Sequence, residues 1–373
     1  MYEASISGTG VFTPEHSVSN EELVSSFNTF VDNFNNENAA AIEAGEVAAL
    51  EHSSVEFIEK ASGIKSRFVM NKSGVVDPAI MHPLLPERDN EENSLLCEMG
   101  IAAAKAALAD ANKTTDDIDQ VIVACSNLQR AYPAISIEIQ SAMGIEGFGY
   151  DMNVACSSAT FGLQAAINSV QTGSARAVLL ISPEVCSAHL NFRDRDSHFI
   201  FGDVASAIVV ERTENVTSES SFKAVDISLK TTFSNNIRNN FGFLNRCAPG
   251  SDQDPDKLFR QNGRKVFKEV CPMVADMISA QLDKNQVPAE SLKRMWLHQA
   301  NVNMNQFIAR RVLGKEPDEN VAPTILDEYA NTSSAGSIIA FHKHQDDFQS
   351  GDIGVICSFG AGYSAGSVLL QKV

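Results

Sequence analysis

Two stretches of the chain share one layout, and this duplication constrains the fold more than any other feature of the sequence. Residues 102–127 read as a helix, a polar acidic turn and an apolar strand, and residues 274–301 follow the same order. The match continues after Cys156 and after Asn331, because each is followed by a helical pattern, a glycine and an apolar strand. A repeat of this length indicates an internal duplication and not an array of short repeats. We therefore expect two similar units packed about a pseudo-twofold axis.

Helical patterns alternate with short apolar strands through most of both units. This order is typical of α/β proteins and predicts a mainly parallel sheet that helices cover on both faces. The polar residues 213–221 are the predicted junction, which gives an N-terminal half over residues 1–212 and a C-terminal half over residues 222–373. Residues 27–59 and 71–93 interrupt the pattern, and we interpret them as insertions.

Composition excludes several classes of function. The formal net charge of -18 argues against a general nucleic-acid binder, which needs clustered Lys and Arg. The chain has no apolar run of about 18 residues and its N-terminus lacks the features of a signal peptide, so the sequence predicts a cytoplasmic protein without membrane contact. The seven cysteines are odd in number, dispersed and without CxxC spacing, which predicts reduced thiols and no zinc site.

Cys156 is the candidate nucleophile. A probable strand ends just before it and a run with helical periodicity follows, so its sulfur is predicted to lie at a helix N-terminus. There the helix dipole and the free amide groups favour the thiolate, which is the attacking species. A lone cysteine is more often a small apolar core residue, and this alternative stays open on the local sequence alone.

His298 and Asn331 extend this candidate site. His298 ends an apolar strand, at the edge where α/β sheets carry their ligands. The duplication places Asn331 at the helix start equivalent to Cys156, so both should face the centre of the molecule. The glycine-rich residues 359–362 follow the last apolar strand and are expected to bring backbone amides near a thioester oxygen. The histidines of residues 342–347 are interpreted as a solvated helix face, so we expect no metal and no cofactor.

Five motifs in this order resemble the β-ketoacyl-acyl-carrier-protein synthase III branch of the thiolase-like condensing enzymes. They lie at residues 154–158, 200–203, 298–301, 331–333 and 359–362. The resemblance implies a thiolase-like duplicated α/β fold of five layers, αβαβα, and a homodimer. It also implies that Cys156 is acylated, that His298 and Asn331 act on the malonyl carbonyl, and that the amides of Cys156 and Ala361 form an oxyanion hole. Ala361 stands where the family usually has glycine.

The same resemblance implies the substrates, an acyl-CoA and a malonyl-acyl-carrier protein in fatty acid synthesis. Phe57 and Arg195 align with residues that hold the adenine end of CoA, and Phe359 belongs to the expected substrate site. Tyr132 stands where an aromatic residue crosses the dimer interface and closes the partner's acyl tunnel. The residues expected to dock the carrier protein form a basic patch of Lys265, Lys268, Arg310 and Arg311.

The sequence leaves the acyl length and the reaction type partly open. Apolar residues in both insertions are expected to extend the acyl wall, which favours a medium-chain donor of roughly six to ten carbons over acetyl, since each buried methylene contributes about 0.8 kcal/mol. The alternative is that both insertions only cover the surface. Another alternative is an acyltransferase of the same fold that passes the acyl group to a small nucleophile or to another acyl chain in secondary metabolism. A non-catalytic acyl-binding homologue is a third hypothesis, which the presence of Cys156, His298 and Asn331 disfavours.

Overall fold

A computed structural model describes residues 1–248, 250, 254–318 and 320–373 of the chain. Its helices are α1 Asn20–Glu37, α2 Ala39–Glu43, α3 Val55–Ser62, α4 Lys72–Val75, α5 Leu95–Asp110, α6 Ile135–Met143, α7 Ser158–Thr172, α8 Gly263–Lys284, α9 Val302–Leu313, α10 Leu326–Tyr329 and α11 Gly336–Lys343. Its strands are β1 Ala4–Phe12, β2 His16–Ser19, β3 Ser66–Val69, β4 Gln120–Ala124, β5 Phe148–Met152, β6 Ala177–Val185, β7 Asp203–Arg212, β8 Phe222–Ser234, β9 Ile237–Arg238, β10 Arg260–Gln261, β11 Leu292–Leu297, β12 Ile353–Gly360 and β13 Gly362–Lys372.

The main sheet is mixed, so the expectation of a mainly parallel sheet is wrong. Its strands follow the order β11-β12-β13-β8-β1-β7-β6-β4-β5. Parallel pairing is limited to β4 with its two neighbours and to β11 with β12, whereas the other pairs are antiparallel. The reason lies in the connections: β13 follows β12 after a single residue, which allows only antiparallel return, while a parallel pair needs a crossover.

The helices and strands form the five predicted layers. The outer helices α5 and α6 pack on one face of β4, β6 and β7, and the outer helices α8 and α9 pack on one face of β11, β12 and β13. Between the two halves of the sheet lies a core that joins side chains of α7 and α11 to both. The fold is therefore the thiolase-like α/β sandwich of layers αβαβα.

The central helices α7 and α11 begin in matching ways. Ala155 precedes Cys156 with a φ of 48°, and Ala330 precedes Asn331 with a φ of 56°. A positive φ is uncommon for alanine, so its occurrence at both equivalent positions is a specific likeness between the halves. The duplication thus extends to the backbone at the candidate site. The boundaries at residues 212 and 222 stay a prediction, since β8 joins both parts of the sheet through β1 and β13.

The two insertions differ in what they contact. Helix α1, which begins at the capping box of Ser19 and Glu22, leads into the first insertion, where Phe27 stacks on His198 with ring centroids 4.5 Å apart. Its buried residues belong to a separate core around Phe192 and Phe199. The expectation that residues 27–59 extend an acyl wall is therefore not met in this structure, because they pack away from the cavity described below. Part of residues 71–93 does line that cavity.

Within the described ranges, no helix is both long and apolar enough to cross a membrane.

Candidate active site

Cys156 lies between the left-handed Ala155 and the N-cap residue Ser157 of α7, as the sequence predicts. The amide of Ala155 donates to Oδ1 of Asn153 over 2.8 Å, which fixes this turn. Gly360, at the end of β12, passes so close that a Cβ there would lie 2.9 Å from Sγ of Cys156. Only glycine therefore allows β12 to approach the sulfur, a role for Gly360 that the sequence pattern did not single out.

The electrostatic setting of Cys156 differs from the expectation. Burial raises the pKa of its thiol to about 11, although the Ser333 hydroxyl and the amides of Ala361 and Cys156 itself act in the opposite direction. The predicted preference for the thiolate is wrong for this state of the protein. Removal of the sulfur from water disfavours its charge more than the helix N-terminus favours it.

The amides expected to form the oxyanion hole both point at the reacting atom. The backbone N–H groups of Ala361 and Cys156 interact with Sγ of Cys156, so they converge on the space beside it. Ala361 is not among the described non-glycine residues with a positive φ, so alanine is accepted where the family usually has glycine. This geometry suits stabilisation of a negative oxygen on a carbonyl carbon bound to the sulfur.

His298 directly follows β11 and is buried, with 2% of its surface exposed. Its ring packs edge-on against Phe359, with centroids 5.2 Å apart, which accounts for the position of that predicted site residue. Burial lowers the pKa of the imidazole to about 4, and the Ser333 backbone partly opposes this. His298 is therefore neutral at neutral pH. Its Nδ1 has no hydrogen-bond partner among the described residues.

Ser333 joins the predicted catalytic residues: it is the last residue of the motif at 331–333, but nothing in the sequence pattern assigns it a role of its own. Its Oγ donates to Sγ of Cys156 over 3.5 Å, and its amide donates to Oδ1 of Asn331 over 2.9 Å. A hydrogen bond with its backbone also raises the pKa of the His298 imidazole, against the larger effect of burial. The hydrogen bond from the Ser333 amide occupies the side-chain oxygen of Asn331, so the NH₂ group of Asn331 points away from Ser333. The backbone φ of Ser333 is 51°, a rare angle for serine that no local pattern announces.

The side chains of Arg195 and Phe57 lie together and stack directly on each other. The guanidinium carbon of Arg195 is 4.3 Å from the centre of the Phe57 ring, and its Nε donates to the carbonyl of His52 over 2.8 Å. The stacking expected from the sequence is present. In this state the two side chains leave no gap for an adenine ring between them.

A cavity of about 1080 Å³ opens beside the strand end that leads to the site. Leu85, Leu128 and Ile137 give it apolar walls, and the predicted tunnel residue Tyr132 also lines it while 85% exposed. Val185 contributes to the wall, and its neighbour Glu184 hydrogen-bonds Ser334, next to Ser333. Cys156, His298, Asn331 and Ser333 do not line this cavity, and its link to the catalytic turn runs along the chain from Val185 to Glu184.

The four residues of the predicted basic patch are exposed and lie on two helices in contact. Lys265 and Lys268 belong to the start of α8 and Arg310 and Arg311 to the end of α9. Each arginine has an acidic partner: Arg310 pairs with Glu316 and Arg311 with Asp276. The lysines are therefore the stronger candidates within this patch.

Comparison with known proteins decides the family. Residues 150–231 match the family model of 3-oxoacyl-[acyl-carrier-protein] synthase III, and residues 282–372 match the model of its C-terminal part. The β-ketodecanoyl-[acyl-carrier-protein] synthase of Pseudomonas aeruginosa is 62% identical over 93% of this chain and 99% of its own length. The chain belongs to the β-ketoacyl-acyl-carrier-protein synthase III family. It is an acyltransferase of the condensing type, and the alternative reaction of passing the acyl group to a small nucleophile is not favoured.

More distant members of the family agree with this. The β-ketoacyl-[acyl-carrier-protein] synthase III of Rhizobium rhizogenes is 31% identical over 75% of this chain and 85% of its own length. Among solved structures, the 3-oxoacyl-[acyl-carrier-protein] synthase III of Aquifex aeolicus has a TM-score of 0.76 at 24% identity and covers 99% of both chains. The priming β-ketosynthase of the R1128 polyketide pathway has a TM-score of 0.76 at 22% identity over 99% of this chain and 96% of its own. The structural likenesses show the fold alone.

Proposed function

We propose that this protein condenses a medium-chain acyl-CoA, with eight carbons as the preferred length, with malonyl-acyl-carrier protein in fatty acid synthesis. The observation that carries the proposal is the 62% identity to a β-ketodecanoyl-[acyl-carrier-protein] synthase over nearly all of both chains. A β-ketodecanoyl group has ten carbons, and malonyl contributes two of them after losing CO2. The acyl donor therefore has eight.

The first step transfers the acyl group to Cys156. The sulfur attacks the thioester carbonyl, loses its proton and displaces CoA, which leaves as the free thiol. Because the pKa of Cys156 is about 11, the thiol is the resting form and its proton has to leave as the sulfur attacks. The amides of Cys156 and Ala361 stabilise the oxyanion that forms on the acyl carbon.

The second step forms the new carbon–carbon bond. Malonyl thioester loses CO2 to give an enolate, whose oxygen accepts hydrogen bonds from the imidazole of His298 and the NH₂ group of Asn331. The neutral state of His298 suits this task, since a neutral imidazole carries one N–H group that donates to the substrate without a change of charge. The carbanion attacks the acyl carbon, and the sulfur of Cys156 leaves and regains a proton.

The cavity beside the site supports a donor longer than acetyl. Of the second insertion, Leu85 and Pro86 add to its apolar walls, whereas the lining residues from Glu87 to Asn93 are polar or charged. Burial of methylene groups against such walls is favourable by about 0.8 kcal/mol each, so a longer chain gains affinity up to the end of the cavity. Phe57 and Arg195 remain the proposed contacts of the CoA nucleotide, which requires their side chains to separate when it binds.

The exposed edge of the sheet supports a homodimer, and the cytoplasm is its proposed location. Of the two edges of the sheet, β11 is almost entirely buried, whereas β5 is half-buried to exposed along its length. The β5 side also carries exposed apolar side chains, and an edge of this kind pairs readily with another strand. These side chains are Tyr132, Ile137, Phe148 and Tyr150. A second copy joined at β5 would cover them and bring its own Tyr132 next to the cavity.

Variants of the two enolate donors test the reaction. We expect His298→Ala and Asn331→Ala to permit acylation of Cys156, followed by intact-protein mass spectrometry, and to cut release of ¹⁴CO2 from labelled malonyl-acyl-carrier protein by on the order of 10²-fold or more. His342→Ala, whose ring binds Thr9 away from the site, is the matched control and should retain both activities. Loss of acylation with condensation of preloaded enzyme intact would reverse the assigned roles.

A further inference from the structure

Glu184 is a buried carboxyl group that the two-step reaction above does not use. It lies near the end of β6 and is 1% exposed. Its Oε1 accepts from the amides of Ser126, over 2.9 Å, and of Ser334, over 3.2 Å, and also from the hydroxyl of Ser334. Its Oε2 accepts from the hydroxyl of Ser126 over 2.6 Å. With the thiol of Cys186, which donates to Oε2 over 3.9 Å, five donors surround the two oxygens of this carboxyl group.

Each of these two serines is joined to one of the two turns of the candidate active site. Ser334 directly follows Ser333, which contacts Cys156 and Asn331. Through Ser334, Glu184 therefore anchors the turn that carries Ser333, which belongs to the C-terminal half.

Ser126 leads to the turn of Cys156. Its carbonyl accepts from Nδ2 of Asn153 over 2.8 Å, and Oδ1 of Asn153 accepts from the amide of Ala155 over the same distance. Glu184 is therefore connected to Ala155 by a chain of hydrogen bonds and to Ser333 through the next residue, Ser334, and the φ angles of Ala155 and Ser333 are 48° and 51°. Such angles persist only when their surroundings hold them.

We propose that Glu184 is a positioning residue for the condensation, because its carboxyl group holds the turn that carries Cys156 and the turn that carries Asn331 and Ser333 in register. This role rests on the proposed function. The two turns belong to different halves of the duplicated fold, and Glu184 joins them next to the reacting atoms. Loss of an oxygen acceptor frees one of the turns, and a displacement of about 1 Å at the reacting groups costs up to about 10²-fold in rate.

The surroundings of Glu184 make this role depend on pH. Burial raises its pKa to about 7, while the hydrogen bonds from both serines act in the opposite direction. The ionisable groups that act on it or feel its charge are the thiols of Cys125, Cys156 and Cys186, whose pKa values burial raises, while Asp203 on the adjacent β7 is paired with Val185. Below pH 7 the carboxyl gains a proton and loses an acceptor site, so condensation should fall there.

The test compares Glu184→Gln with Glu211→Gln, a matched control in which the same change is made at another buried glutamate. Glu211 pairs with Lys113 at the far end of β7, over 3.0 Å. Acylation of Cys156 and condensation by the preloaded enzyme are measured from pH 5.5 to 8.5, with the acyl-CoA that the wild type uses best among chains from acetyl to dodecanoyl. Using the best donor keeps the result independent of the proposed chain length.

We expect Glu184→Gln to lower kcat of condensation by about 10- to 100-fold with little change in KM for malonyl-acyl-carrier protein, and to abolish the fall near pH 7. Glu211→Gln should stay within about twofold of wild type. Adding Ser334→Ala to Glu184→Gln should cost little more, since the two act through one contact. If Glu184→Gln does not fold, Ser334→Ala alone carries the prediction.

Equal losses in Glu184→Gln and Glu211→Gln, or a fall near pH 7 that survives in Glu184→Gln, would overturn the positioning role. A wild-type enzyme with an acetyl optimum would instead contradict the proposed donor and leave the role of Glu184 standing. A wild type that no acyl-CoA acylates would overturn both.

Discussion

Ser333 shows how much of the site depends on a single residue whose type does not announce its role. Its hydroxyl donates to Sγ of Cys156 and its amide donates to Oδ1 of Asn331. Its backbone raises the pKa of the His298 imidazole. The hydroxyl also lowers the pKa of Cys156, against the larger effect of burial. One serine therefore both orients the enolate donors and eases ionisation of the nucleophile.

We predict that Ser333→Ala raises the pKa of Cys156 and slows its acylation. The measurement is the rate of iodoacetamide alkylation of Cys156 as a function of pH, whose midpoint should move upward. Ser337→Ala is the control, because Ser337 is buried nearby in α11 and its Oγ has no partner among the described residues. A midpoint that stays in place in Ser333→Ala would show that the hydroxyl does not act on the sulfur.

The sequence was sufficient to find the residues whose type announces their chemistry. Cys156, His298 and Asn331 follow strands or begin helices at matching places of a duplicated pattern. Ser333 and Glu184 escaped because their roles depend on a left-handed backbone angle and on burial between two turns distant in sequence. The charge state of Cys156 was predicted wrongly for a related reason, since desolvation by the tertiary structure outweighs the local helix effect.

At the scale of elements, the strands were easier to locate than to pair. The limits of α6 and the core of β6 follow directly from apolar patterns, because period and burial act within one segment. The direction of pairing depends on the connections, and the short β12–β13 turn made that pair antiparallel. The two insertions could also be located but not placed from the sequence. Only the structure shows that residues 27–59 include Phe27, which stacks on His198, and that part of residues 85–93 lines the cavity.

The exposed edge of β5 gives a prediction about assembly. Tyr150→Lys places a charge in the middle of this edge, where burial in a dimer would remove it from water. We expect a monomer, or a dimer weakened by at least about tenfold, in sedimentation velocity. Phe233→Lys is the control, since Phe233 is 87% exposed on β8 and outside the β5 edge. An unchanged dimer in Tyr150→Lys would place the interface elsewhere.

At the scale of the whole molecule, the net charge of -18 would repel an acidic carrier protein everywhere except at a local basic patch. Docking then depends on local positive charge, and the proposed patch on α8 and α9 contains two lysines that are exposed and two arginines that already have acidic partners. Attraction between such patches mainly affects encounter and weakens with salt.

We predict that Lys268→Glu raises KM for malonyl-acyl-carrier protein severalfold at low salt and that the difference shrinks at high salt. Arg311→Glu should have a smaller effect, because its charge is already offset by Asp276. Acylation by acyl-CoA, which involves no carrier protein, should be unchanged in both. Equal KM values for all three proteins at low salt would remove the patch from the docking site.

The central claim is that Cys156 accepts a medium-chain acyl group, and one series measures it directly. kcat/KM for acylation of Cys156 is determined with acetyl-, butanoyl-, hexanoyl-, octanoyl-, decanoyl- and dodecanoyl-CoA, with Cys156→Ala as the blank for labelling elsewhere. Burial of each methylene is expected to raise the value by up to about fourfold until the cavity is filled. The account predicts a maximum at octanoyl-CoA and no acylation of Cys156→Ala. A maximum at acetyl-CoA would contradict it.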